Sequence, residues 1–135
     1  MTFRITYSVL DADMTELHKE FDAALAQVKA SFGATHPSWV DGKAVESGDL
    51  LESRTPADTR VLLAKFHRAP VAVLDGAVAA GKKAQKAWAA LPWKERVATI
   101  RKAAELISSR RMSLAATMSL EVGKSRIESL GDVEE

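Results

Sequence analysis

Apolar positions recur at helical spacing early in the chain. Leu17, Phe21, Leu25, Val28 and Phe32 step by four, four, three and four, so they share one stripe of a helix over residues 14–32. Asp13, with Glu16 three positions later, fits a helix start: a capping acceptor and a carboxylate in the first turn. Gly33 fits the end of this helix, and Pro37 lies just beyond. The stripe needs an apolar partner. Left uncovered, it is a docking face.

The period then changes. Asp41-Gly42 sits between the short runs Trp39-Val40 and Lys43–Val45, and Asp-Gly accepts the positive φ angles of a two-residue hairpin turn. Ser47-Gly48-Asp49 and Thr55-Pro56-Ala57-Asp58 read as turns, with a short extended run at Leu50–Ser53 between them. Arg60 to His67, rich in Val, Leu and Phe, predicts a strand. Strands this short need helices or another chain to cover them.

From Pro70 onward the spacing is helical again. Leu74, Val78, Gly81, Trp88 and Leu91 lie near one face of an alanine-rich helix. Pro92 breaks it and suits the first turn of the next. Val97, Ile100, Ala104 and Ile107 continue the pattern, Ser108 to Arg111 mark a bend, and Leu114, Met118 and Val122 resume it until Gly123. Ser125 with Glu128 makes a capping box, opening a helix that carries Ile127, Leu130 and Val133. No stop signal follows it, so the natural protein is expected to continue. The expected fold class is α+β, helix-rich. It divides into an N-terminal amphipathic helix segment (1–37), a β-hairpin and strand region (38–69) and a helical region (70–135).

With 47% hydrophobic and 27% charged residues, the 135-residue chain has globular composition and the length of one domain. Cysteine is absent, which removes disulfides, thiolate metal sites and a cysteine nucleophile from these residues. No apolar run approaches the ~18 residues of a membrane span. Met1 to Thr6 lacks the apolar core and small-residue cleavage site of a secretory signal. A cytoplasmic protein with no membrane partner is therefore expected. Charge is uneven. Residues 1–60 carry net −4, residues 61–111 carry 11 basic and 3 acidic side chains (net +8), and residues 112–135 carry −3. The middle block could attract phosphate or an acidic partner, and nucleic-acid binding there would weaken steeply with salt. Its basic residues follow helical spacing, however, which favours a solvated face whose Lys and Arg stems lie over apolar surface. No nucleic-acid partner is expected.

Candidate chemistry is sparse. Gly76-Ala77-Val78-Ala79-Ala80-Gly81-Lys82-Lys83 matches a phosphate-binding loop except at its last position, where Lys83 replaces the hydroxyl that ligates magnesium. Its alanine-rich interior favours helix. His18, His36 and His67 lie in no ligand motif, Glu134 and Glu135 point apart on a helix, and Trp39, Trp88 and Trp93 read as packing anchors. The residues by themselves give no catalytic constellation.

Several segments together resemble the N-terminal part of the aldehyde dehydrogenase superfamily. These are Trp39-Val40-Asp41-Gly42-Lys43, Arg54-Thr55-Pro56-Ala57-Asp58-Thr59, the helix with Val78, Ala84 and Trp88, then Leu91-Pro92-Trp93-Lys94-Glu95-Arg96, and Ser119-Leu120-Glu121-Val122-Gly123-Lys124. Order and spacing agree from about Ser38 to Glu135. Thr55 stands where the family usually has Asn, and the strand from Val61 to Phe66 is less regular than the family's. The preceding helix and the wording around Glu121 look most like the subgroup that oxidises glutamate γ-semialdehyde, the open form of 1-pyrroline-5-carboxylate. The resemblance implies an NAD(P)-dependent parent with a Rossmann-like cofactor domain, acting in proline or glutamate metabolism, whose catalytic cysteine, glutamate base and cofactor loop lie beyond residue 135. Within this chain it implies no catalytic and no cofactor-binding residue, and Glu121 alone as a candidate for a structural cation. It implies an outward-reaching oligomerisation arm at 38–67, helices flanking the cofactor sheet at 70–135, and the remainder of the dehydrogenase as partner. The isolated chain is then expected to be inert and to self-associate. The contrasting expectation is a stand-alone helical interaction protein using the 17–32 stripe or the basic middle.

Overall fold

The computed structural model describes residues 13–135, so the reading of Met1 to Thr6 lies outside the described residues. The elements run α1 (Thr15–Lys29), β1 (Ala34–His36), β2 (Ser38–Val40), β3 (Lys43–Val45), β4 (Leu50–Arg54), β5 (Leu62–His67), α2 (Val71–Ala90), α3 (Trp93–Ser109), α4 (Arg111–Val122) and α5 (Arg126–Glu134). The α+β class holds.

Local chemistry fixes most boundaries. Asp41 and Gly42 both have positive φ, 52° and 71°, and the turn they make pairs Val40 with Lys43 and Ser38 with Val45. Gly123 closes α4 in the left-handed region. Ser125 accepts from the Glu128 amide while Glu128 reaches back to the Ser125 amide, completing the capping box. Pro92 is the N-cap of α3, where its missing N–H costs nothing. The start of α1 departs from expectation. Its N-cap is Met14, and Asp13 instead accepts from the amide and hydroxyl of Thr15. That is a turn closed by an aspartate one position too early to cap the helix.

β1, β5 and β4 form a three-stranded sheet, with β5 in the centre, parallel to β1 and antiparallel to β4. β1 is a strand the sequence pattern does not mark. Gly33 starts it by donating to the Leu63 carbonyl at 2.9 Å. Gly48 sets the entry to β4. Its φ is +73°, and a Cβ there would lie 2.3 Å from the Arg68 carbonyl oxygen. Next to it, the Arg68 amide bonds Asp49 at 2.8 Å, so backbone meets backbone where no side chain fits.

The core lies elsewhere. Leu17, Phe21 and Ala24 of α1 are buried with Ala115 and Ala116 of α4 and Leu130 of α5. The two alanines let α1 come close enough to seat Phe21, which is 1% exposed. Charged side chains clasp the rim. The Arg126 guanidinium lies 4.9 Å from the Phe21 ring centroid and 2.6 Å from Asp22. Arg111 reaches Glu20 of α1 and Glu134 of α5. The α1 stripe is therefore covered within the chain and is not an open docking face.

α2 and α3 contrast with this. Neither contains a buried residue. The stripe read from the sequence on α2 is the open one, with Leu74 54% and Val78 56% exposed. The half-covered positions are Val73, Ala77 and Ala80, and α2 packs toward β2. Phe21→Ala is expected to cost about 3–5 kcal/mol by emptying the only large aromatic seat in this cluster, while Leu74→Ala costs less than about 1 kcal/mol because its side chain is already wet. Urea midpoints of the two variants check this.

Candidate functional site

The turn after β4 meets the connector between α4 and α5. Thr55 is buried there and donates its amide to Val61 at 3.3 Å, while Val61 donates to Asp58 at 2.9 Å. Arg54 staples this turn. Its Nη1 donates to the carbonyls of Thr59 and Arg60 at 3.1 and 3.3 Å, and its Nη2 donates to Glu52 at 2.7 Å. Arg60 makes two 2.8 Å bonds to Asp58. From the helical side, Gly123 approaches so closely that a Cβ would lie 3.2 Å from Pro56 Cγ. Ser53 Oγ donates to Glu121 at 3.5 Å. Behind this corner Ser119 and Ser129 share a hydroxyl bond of 2.8 Å, with Ser129 fully buried, and Lys124 pairs with Asp132 across the α5 start. Two of the family-like segments, 54–59 and 119–124, thus meet where Gly123 approaches Pro56, beside the long-range bond from Ser53 to Glu121.

The electrostatics suit structure rather than proton transfer. Hydrogen bonds from Arg54 hold the Glu52 carboxyl below its usual range, those from Arg60 do the same for Asp58, and the Ser125 side chain, then its amide, do so for Glu128. Asp132 raises Lys124. A general base works best with a pKa near the working pH, and these carboxylates move the other way.

The other candidates stand apart. Glu121, near the end of α4, accepts from the Ser53 hydroxyl at 3.5 Å. Among the described residues, no three His, Asp or Glu side chains converge on a metal position. Gly76 to Lys83 lies inside α2, so its amides are committed to the helix and cannot converge on a phosphate. His36 stacks on its strand partner Phe66 at 5.3 Å, His67 keeps a buried Nδ1 without a hydrogen-bond partner, and the His18 carbonyl accepts from Arg126. An open groove of about 450 Å³ between α1 and the α3–α4 bend is lined by Glu20, Gln27, Ser109 and Arg111, and Arg111 is already engaged by Glu20. No described helix is long and apolar enough to cross a membrane.

Glu52, Asp58 and Glu128 have folded pKa values below their ordinary 4.5, 3.8 and 4.5. Such groups stabilise the fold above their unfolded pKa, and that contribution disappears as pH falls through the folded value. The urea midpoint is expected to be flat from about pH 7 to 5 and to fall below about pH 4. Arg54→Met should flatten that acid limb; an unchanged acid limb contradicts the role given to Arg54.

The family model described as "Aldehyde dehydrogenase family" matches residues 39–135. The 1-pyrroline-5-carboxylate dehydrogenase of Staphylococcus haemolyticus is 33% identical over 126 residues, 93% of this chain and 24% of its own. Betaine aldehyde dehydrogenase 1 of Rhizobium meliloti is 37% identical over 101 residues, 73% of this chain and 19% of its own. A mutant form of Thermus thermophilus 1-pyrroline-5-carboxylate dehydrogenase superposes with a TM-score of 0.89 at 29% identity, covering 99% of this chain and 26% of that one. The chain spans about a quarter of the length of the relatives it matches. The corner where Pro56 meets Gly123 and the helices that follow β5 lie within the matched residues, and the chain belongs to the aldehyde dehydrogenase family.

Proposed function

We propose that the chain is the portion of an NAD(P)-dependent aldehyde dehydrogenase that oxidises glutamate γ-semialdehyde to glutamate, and that these 135 residues oxidise nothing by themselves. The observation that carries the substrate class is the reach of the similarity. An alignment of 126 residues leaves at most nine of 135 outside it, so the Staphylococcus relative shares α1 as well as the family-model region that starts at residue 39. α1 supplies Leu17, Phe21 and Ala24, half of the buried cluster, so the shared segment is one the fold cannot do without.

The chemistry supports the second half. Oxidation in this family, as the resemblance implies, proceeds by attack of a cysteine thiolate on the aldehyde and hydride transfer to a nicotinamide. The chain has no cysteine, and its glycine-bearing segment at 76–83 is helix. What these residues contribute is scaffold. The β region reaches outward as an arm for assembly, α2 and α3 flank the cofactor-binding body, and the α1–α4–α5 cluster holds the 54–59 and 119–124 corner in place. Glu121 is read as part of that corner, hydrogen-bonded to Ser53, and not as a cation ligand.

Purified 135-residue chain, given 1-pyrroline-5-carboxylate and NAD, is expected to show no absorbance rise at 340 nm; turnover there contradicts the inert reading. The coding sequence past codon 135 is expected to continue into a cysteine-containing, glycine-rich stretch. The product of that longer frame should oxidise 1-pyrroline-5-carboxylate in preference to betaine aldehyde. The reverse preference overturns the substrate assignment, and an in-frame stop overturns the enzyme reading in favour of an interaction module.

A further inference from the structure

We infer that Asp41-Gly42 is a site of spontaneous covalent rearrangement, where the aspartyl link converts to an isoaspartyl link and resets the β2–β3 hairpin. The inference stands on the turn alone and does not depend on the function proposed above. Asp41 is the one non-glycine residue with positive φ among the described residues. That region crowds a Cβ against the following carbonyl oxygen. Gly42 follows without a Cβ, and nothing lies within 4 Å of where one would be. Both residues are exposed. Among the described residues, neither the Asp41 carboxyl nor the Gly42 amide has a hydrogen-bond partner.

The chemistry balances without a co-reactant. The Gly42 nitrogen bonds to Cγ of the Asp41 carboxylic acid, and the acid hydroxyl leaves with the amide proton as water. The product is a cyclic imide, and water then adds back at either carbonyl. Opening at Cγ restores aspartate. Opening at the α-carbonyl leaves the chain running through Cβ and Cγ, with the former α-carboxyl free as a side group. Nothing is oxidised or reduced, and mass and net charge are unchanged. Attack requires an uncommitted amide and rotation about the Asp41 Cα–C bond. The hairpin allows both, because β2 and β3 are three residues each and form a sheet of their own, which opens readily in water. Asp75-Gly76 is a control within the same chain. Gly76 is the sixth residue of α2, past the four amides that a helix leaves unpaired, so its N–H is held by the carbonyl four residues back.

An added backbone atom matters here because a two-residue turn fixes the register. Val40 pairs with Lys43, Trp39 with Ala44 and Ser38 with Val45, and a longer link no longer closes that ladder. The other end of the hairpin is tied separately, by Ser38 Oγ donating to the His67 carbonyl at 3.3 Å.

The test ages the folded 135-residue chain in warm neutral buffer and digests it with trypsin. Residues 30–43 and 69–82 emerge as peptides with one aspartate each, Asp41 and Asp75. Isoaspartate is scored by resistance to endoproteinase Asp-N and by a separate chromatographic peak of equal mass. Asp41 is expected to convert roughly threefold or more faster than Asp75, whose following amide stays in the helix ladder. In concentrated urea the two rates should converge. Equal conversion in the folded chain, faster conversion at Asp75, or rates that stay apart in urea overturns the inference. Hydrogen exchange reads the consequence. Amides of 38–45 should lose protection in proportion to the isoaspartate formed. Asp41→Gly keeps a residue suited to positive φ and lacks the carboxyl, so it should hold that protection through the same incubation. Isoaspartate at 41 with hairpin protection intact, or the same loss in Asp41→Gly, overturns the claim that the rearrangement resets the hairpin.

Discussion

The seat of Phe21 between α4 and α5 is the contact on which the rest of the fold depends. Two consecutive alanines of α4, Ala115 and Ala116, and Leu130 of α5 are buried in one cluster with the ring. Hydrophobic stabilisation scales with apolar area removed from water, and in the described residues that removal is concentrated here. The polar rim follows from it. Arg126 lies over the same ring while pairing with Asp22, and Arg111 joins Glu20 to Glu134, so α1 is tied to the distant pair α4 and α5.

Everything downstream is positioned from that cluster. With α4 and α5 held, the connector between them presents Gly123 to Pro56 and Glu121 to Ser53, which ties the small sheet to the helices. Nothing comparable holds α2 and α3. They are covalently placed by β5 and the Pro92 junction, and their apolar stripes face solvent. The chain thus buries the centre of the α1 stripe and leaves the α2 and α3 stripes open to solvent.

Features set by neighbours in sequence were legible from the sequence alone. Asp41-Gly42, Gly123 and the Ser125–Glu128 box each satisfy their own backbone within a few residues, so composition reveals them. β1 was not legible, because Ala34-Thr35-His36 has no alternation of its own and becomes a strand only by parallel pairing with Ala64 to Phe66. The α2 stripe was visible, but not which face would be covered. Leu74 and Val78 are the more hydrophobic choice, whereas packing within the chain uses Val73, Ala77 and Ala80. Asp13 looked like a cap because residue type and spacing fit, yet the helix begins one residue later and Thr15 takes its carboxylate. The corner joining 54–59 to 119–124 could be read as two family-like segments, but their contact depends on the tertiary fold.

Native-state hydrogen exchange of the 135-residue chain tests the central claim most directly, since amide protection reports local opening energies element by element. The account predicts the slowest exchange in the α1, α4 and α5 amides around Phe21, Ala116 and Leu130, with α2 and α3 exchanging far faster. Equal protection along α2 and α3 would show that these helices are covered within the chain itself, and would contradict it.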